Sequence, residues 1–454
     1  MPIKSINPAT GEVIKVLDEL TEDQVYQEID KAYRTFQSWK KTSFKERKTH
    51  MKKASAILKD EKYNYAKILT LEMGKPIRQA VSEVEKCALV CEYYADNIEK
   101  ILKKEIIQTD ASESYVEFDP LGVVLAIMPW NFPYWQVFRF AAPALMAGNV
   151  GLLKHSSNVP MSALAIEEIF MKAGFPPGTF RTLLVGSSRM EDIINHPKVS
   201  AVTLTGSEGA GKKVASAAGK SLKKTVLELG GSDPFIVLAD ADIEAASTMA
   251  VKSRIINNGQ SCIAAKRFIV VKEIAKQFEE RFVEIVNDLK IGDPMDERND
   301  LGPIAREDLL LTIDEQVKQS VKMGAKLLRG GKRLEVHGYY YPATVLSEVK
   351  KGMPVYEQET FGPIAAIIVA EDQDDAIRIA NDSLYGLGAS LWTRNLSNAK
   401  ELASRIESGS VFINGMVKSD PRLPFGGIKI SGYGRELSHY GIKEFVNIKT
   451  VWIA

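Results

Sequence analysis

One cysteine stands in the stretch NNGQSCIAAKR, residues 257–267, behind two asparagines, a glycine and a glutamine. By default a free cysteine behaves as a small apolar filler. The approach to Cys262 is polar and turn-prone, which is poor material for the middle of a packed element. A nucleophilic thiol needs access, partners that favour the thiolate, and donors for the charge that develops on its substrate. Two other segments offer such parts. Glu228 ends the apolar run VLELGG, where it is either a capping residue or a general base whose pKa apolar surroundings would raise. Asn131 lies between Trp130 and Phe132 in IMPWNFPYW, with a proline on each side. There it either belongs to a rigid aromatic turn or aims its amide at a developing oxyanion.

Several motifs fail. TLTGSEGAGKK, 203–213, nearly matches a phosphate-binding loop, but Lys213 occupies the position that needs Ser or Thr for magnesium. That disfavours a P-loop phosphotransferase. The glycine spacing is not G-x-G-x-x-G either. A strand running through Gly206 and Ser207 into a helix can still offer N–H groups and a hydroxyl to a pyrophosphate. GQSCI lacks the second glycine of a serine-hydrolase elbow. The five histidines form no metal-ligand pair at helical spacing, so no catalytic metal is expected.

The elements that must position these residues follow from hydrophobic patterning. Residues 21–104 read mainly as helix, with apolar positions three and four apart and a stop at Gly74–Lys75–Pro76. Cys87 and Cys91 share one face of it and read as packing residues. Residues 107–119 alternate like an edge hairpin. Short apolar strands (LGVVLAIMP, VGLLK, FRTLLVG, VSAVTLTG, KKTVLEL) then alternate with helices, and a second alternating series runs from about 234 to 415. Alternation of this kind implies an α/β fold with parallel sheets covered on both faces and ligands beyond the carboxyl ends of the strands. The C-terminal EFVNIKTVWIA reads as a strand that pairs with 107–119 or with another subunit.

At 454 residues the chain has room for two or three domains. Its net charge of +1, from 59 basic and 58 acidic residues, gives no footprint for nucleic acid. The longest apolar runs are about half of a membrane span. The N-terminus shows no basic segment ahead of an apolar core, so a cytoplasmic location is expected.

Taken together, seven segments in order resemble the aldehyde dehydrogenase superfamily: PWNFP (129–133), LLKHSSN (152–158), TLTGS (203–207), LELGG (227–231), NNGQSC (257–262), EQETFGPI (357–364) and PFGGIKISGYGRE (424–436). The resemblance implies a Rossmann-type cofactor domain (1–106 and 120–229), an α/β catalytic domain (230–418) and a small β oligomerisation arm (107–119 and 436–454). A homodimer or homotetramer is then expected. Carried over by residue, it makes Cys262 the nucleophile and Glu228 the general base. Asn131 with the Cys262 N–H would form the oxyanion hole. Trp130, Lys154, Ser157, Gly206, Ser207, Glu359 and Phe361 would line the cofactor, with Lys154 at the adenosine ribose, Ser207 at the pyrophosphate and Glu359 at the nicotinamide ribose. Many NAD-preferring members have a glutamate where this chain has Ser157, so NADP is expected to be preferred over NAD.

Within the superfamily the chain is most similar to bacterial succinate-semialdehyde dehydrogenases. That likeness implies that Arg139 grips a distal carboxylate and Ser419 adds a hydrogen bond; the other reading of Arg139 is a salt bridge at a subunit surface. Some members have a second arginine where this chain has Ile256, so glutarate semialdehyde or a broader aliphatic range are the alternative substrates. With Ile263 and Ala264 after the nucleophile, no local disulfide switch is expected.

Overall fold

Runs such as VVLAIM and VGLLKH are apolar on both faces, as a strand covered from both sides requires. In the computed structural model, which describes residues 2–454, they lie side by side at the centre of a six-stranded sheet. Its order is Gly432–Tyr433, Lys224–Glu228, Val199–Thr205, Val123–Met128, Val150–His155 and Phe180–Thr182, parallel throughout except at the first pair. From Val123–Met128 the chain builds outward to one edge, then returns to the other side with Val199–Thr205. The order therefore reverses between those two strands, and a ligand crevice opens at their carboxyl ends. Trp130–Asn131 follows one strand into it, and Gly206–Ser207 follows the other.

The second series forms a seven-stranded sheet in the order Lys326–Arg329, Thr344–Ser347, Ile364–Ala370, Arg267–Val271, Pro234–Val237, Ala389–Trp392 and Val411–Ile413. Only its first pair is antiparallel. Cys262 sits in the connection that leads into the buried strand Arg267–Val271.

Four helices (Glu22–Trp39, Phe44–Asp60, Lys62–Met73 and Ile77–Ile101) fill the predicted helical region. The last presents Ala80, Val84, Cys87, Cys91, Tyr94 and Ile98 as one buried stripe, so both cysteines pack as expected. Glu83 interrupts that stripe with a charge.

In the arm, Val446–Ile453 pairs antiparallel with Glu113–Pro120 along its full length, and Glu105–Ile106 adds a short third strand. The C-terminal strand thus pairs with this chain's own 113–120 segment and forms an edge of the sheet. The strand begins only at Val446, because Ser438–Lys443 is a helix packed on Trp135–Ala147. Several features escape the patterning: an N-terminal hairpin, Ile3–Ile6 with Val13–Leu17, and the strands Lys326–Arg329, Thr344–Ser347 and Ala389–Trp392 of the second sheet. Four or five residues give too little alternation to register. FRTLLVG, expected as a full strand, shortens to Phe180–Thr182.

Candidate active site

Asparagine and glycine tolerate the left-handed backbone that other residues avoid. Asn257 (φ 53°), Asn258 (φ 56°) and Gly259 (φ 77°) adopt it consecutively, turning the chain sharply before Cys262. Nearby backbone and side chains fix this elbow. The Asn257 amide nitrogen donates to the carbonyls of Asn131 (2.6 Å) and Gln260 (2.9 Å). Asn258 donates to the carbonyls of Gly74 and Pro303, both at 2.9 Å, and accepts from the Gly302 N–H. Gln79, on the long helix, accepts from the Asn257 N–H at 2.7 Å. Only glycine fits at 259, since a Cβ there would lie 2.3 Å from the Gly362 carbonyl.

The Asn131 loop is braced from the same helix. Buried Glu83 accepts the N–H groups of Tyr134 and Trp135, each at 3.0 Å, at the start of helix Trp135–Ala147. Its counter-ion is Lys75, also buried, whose ammonium lies 3.7 Å from the Phe132 ring centroid. Asn131 turns its amide nitrogen to the Gln260 carbonyl at 3.2 Å, which ties it to the elbow, and its buried Oδ1 has no protein partner.

Glu228 closes its strand with both carboxylate oxygens buried and without a protein hydrogen bond. It caps no helix, so that reading of the sequence falls. Burial first, and then the neighbouring Glu436 carboxylate, raise its pKa well above the ordinary range. Arg139 pairs with Glu436, donates weakly to Thr205 Oγ1 at 3.4 Å, and lies over the Phe425 ring. The ion pair is therefore real but buried, not at a surface as the sequence reading had it.

Cys262 is half-buried. Burial and then Glu359 push its thiol up to about 12, against Lys266 and Arg139, so the protein's own groups hold a thiol and not the thiolate that the sequence reading sought. The Lys266 ammonium donates to the carbonyls of Ser261 (2.9 Å), Cys262 (2.8 Å) and Ala264 (3.1 Å) and lies 3.7 Å from Glu359. Glu359 in turn accepts the Gly231 N–H at 2.9 Å, which joins the Glu228 strand, the elbow and the 357–364 loop.

The crevice at the strand reversal has the donor set that a dinucleotide would need. Ser207 is the N-cap of the helix Glu208–Lys220, with Gly206 before it. Lys154 is the last residue but one of a buried strand, its pKa lowered by burial with Glu19 opposing, and Ser157 is exposed on the turn that follows. Trp130 meets Phe361 edge to face, ring centroids 5.6 Å apart. A dinucleotide fits these groups: an N-terminal helix end and a hydroxyl for phosphate, a lysine for the ribose side, and aromatic walls.

A cavity of about 470 Å³ reaches Cys262 and Ser261 from the other side, lined by Phe132, Trp135, Ile255, Ile256 and Phe425 and by more basic residues than the single clamp expected. Arg139 and Ser419 both line it, as does Lys86, which the sequence reading passed over. Glu83, Lys75, Lys266 and Glu436 were missed too. For Glu83 a signal existed, a carboxylate on the apolar stripe of a helix; for Glu436 none did. Among the described residues no group of three or more His, Cys, Asp or Glu side chains could hold a metal, and no helix is long and apolar enough to cross a membrane.

The family model described as aldehyde dehydrogenase family matches residues 1–451. A Synechocystis protein named probable succinate-semialdehyde dehydrogenase (NADP(+)) is 54% identical over 454 residues, covering 100% of both chains. A Mycobacterium tuberculosis protein named succinate-semialdehyde dehydrogenase (NADP(+)) 1 is 50% identical over 457 residues, again covering 100% of both. The solved structure of Gox0499 superposes with a TM-score of 0.99 at 39% identity over 100% of both chains. A crystal structure of succinic semialdehyde dehydrogenase from Streptococcus pyogenes, in complex with NADP+, gives 0.97 at 38% identity over 99% of each chain.

Proposed function

The chain belongs to the aldehyde dehydrogenase family, and from that premise we propose that it oxidises succinate semialdehyde to succinate with NADP. The observation that carries the reading is the half-buried Cys262 on a braced left-handed elbow, at a cavity lined by cations as well as apolar groups.

In this reading Cys262 attacks the aldehyde carbon, its proton passing to solvent through the cavity as the C–S bond forms. The Asn131 amide and the Cys262 N–H meet the oxygen that gains charge, a contribution of about 3 kcal/mol for one such donor. NADP, when bound, supplies the hydride acceptor that makes the step an oxidation. Glu228 then takes a proton from the water that cleaves the Cys262 thioester and releases succinate. Its carboxylate oxygens, buried and without a protein hydrogen-bond partner, are left to meet that water. Lys154, Ser207, Glu359, Phe361, Trp130 and Gly206 hold the dinucleotide. Ser157 brings a hydroxyl and no carboxylate to the adenosine ribose, which supports NADP over NAD.

We also infer that the chain forms a homo-oligomer through its arm. Ile448, Trp452 and Ile453 on the C-terminal strand are 60%, 53% and 45% exposed, an apolar surface that a second copy would cover. Residues 1–106 and 120–229 then act as the cofactor domain and 230–418 as the catalytic domain. A reducing cytoplasm suits the three free cysteines.

Initial rates of succinate semialdehyde oxidation with NADP and with NAD, beside Cys262→Ala, test the reading. Rapid NADP reduction that vanishes in the variant supports it. NAD preferred tenfold in kcat/KM sinks the Ser157 argument, and no turnover from folded protein with either cofactor sinks the substrate.

A further inference from the structure

The cations around the cavity differ in how far the protein has already neutralised them. Arg78 faces Asp300 at 3.3 Å, and Arg139 is paired with Glu436. Lys252 and Lys418 are exposed to solvent. Lys86 is different: it is half-buried, and no carboxylate of the described residues lies within ion-pair distance of its ammonium. It donates to Ser419 Oγ at 2.7 Å and lies 4.1 Å from the centroid of the Trp135 ring. The two carboxylates whose charge acts on Lys86 are occupied elsewhere, Glu83 with Lys75 and the Tyr134 and Trp135 N–H groups, Asp420 with Arg422.

We propose that Lys86, steadied by Ser419 and the face of Trp135, is the residue that anchors the distal carboxylate of the aldehyde substrate. This rests on the semialdehyde reading above and makes Lys86 a specificity determinant of that site. A cation taken out of water without a counter-ion is unfavourable, and an incoming carboxylate removes the deficit by a charge-assisted hydrogen bond. Burial and the like charge of Arg139 lower the Lys86 pKa to about 8, which agrees with a cation short of a partner. Ser419, nearly buried, keeps a lone pair for Lys86 and can turn its own proton to a second carboxylate oxygen.

The test compares kcat/KM for succinate semialdehyde with that for butanal in wild type, Lys86→Met and Lys86→Arg, together with calorimetric binding of succinate. Methionine keeps the stem that covers Trp135. In Lys86→Met the ratio is expected to fall about 30-fold or more, through KM, and succinate binding to weaken in parallel. Lys86→Arg should restore much of both, since the charge survives. An unchanged ratio overturns the proposal, as does an equal loss for both aldehydes, which would mark a structural lysine. Wild type that binds succinate through Lys86 but oxidises no succinate semialdehyde would sink the functional reading and keep the anchor. Wild type that does neither would sink both.

Discussion

The elbow and the far wall of the cavity treat their polar groups in opposite ways. At the elbow the side-chain amides of Asn257, Asn258 and Gln260 bond to backbone, fixing three left-handed residues in succession. At the wall Lys86 has a hydroxyl and a ring face where a carboxylate would be expected. Hydrogen bonds within the chain position a nucleophile without further adjustment. Polar groups left short of partners are what a ligand can satisfy. Arg139 stands between these cases, lining the wall while its charge is taken by Glu436.

The largest effect should come from that intermediate residue. Arg139→Ala leaves Glu436 buried beside Glu228 without its counter-charge, an expected loss of about 3–5 kcal/mol in denaturant unfolding. Turnover of charged and uncharged aldehydes should fall together. A stable Arg139→Ala protein that loses only succinate semialdehyde would break the distinction drawn between Arg139 and Lys86.

Asn131→Ala tests the elbow side. The expected drop in kcat is about 10²–10³-fold with little change in KM, read by single-turnover kinetics. Unaltered kcat would leave Asn131 as a packing residue of its turn.

Glu228→Gln should have the smallest effect on stability, and of opposite sign. The folded-state pKa of Glu228 lies above its value of 4.5 in the open chain. Folding therefore favours the protonated form, and the wild type loses stability as pH rises from 4.5 through the raised pKa. Glutamine does not titrate, so the variant should unfold later by about 1 kcal/mol, with the gap widening as pH rises. Its thioester should hydrolyse slowly, seen as a burst of reduced cofactor followed by a slow steady state. A variant less stable than wild type at every pH would show that the carboxylate is better solvated than its orphaned oxygens indicate.

Much of the fold was legible because the strands of both sheets are apolar runs bounded by turn residues. Val123–Met128 and Arg267–Val271 need no distant contact to be recognised. Ala389–Trp392 was not legible, because its identity as a strand depends on pairing with Pro234–Val237 on one side and Val411–Ile413 on the other. The site divides similarly. Cys262, Glu228 and Asn131 stand out through flanking residues that serve local backbone geometry. Glu436 does not, since its partner Arg139 lies far off in sequence and only folding brings the two together.

By itself the sequence determined the strand and helix alternation, a turn ahead of Cys262 and the chemical type of each reactive side chain, because those follow from local residue preferences and periodicity. Only the tertiary structure decided which charges are already neutralised. Arg139 meets Glu436, and Lys86 meets Ser419 across 333 residues of chain, through contacts with no local signature. A cation's availability to a substrate depends on who else reaches it, and that is a property of the packed molecule.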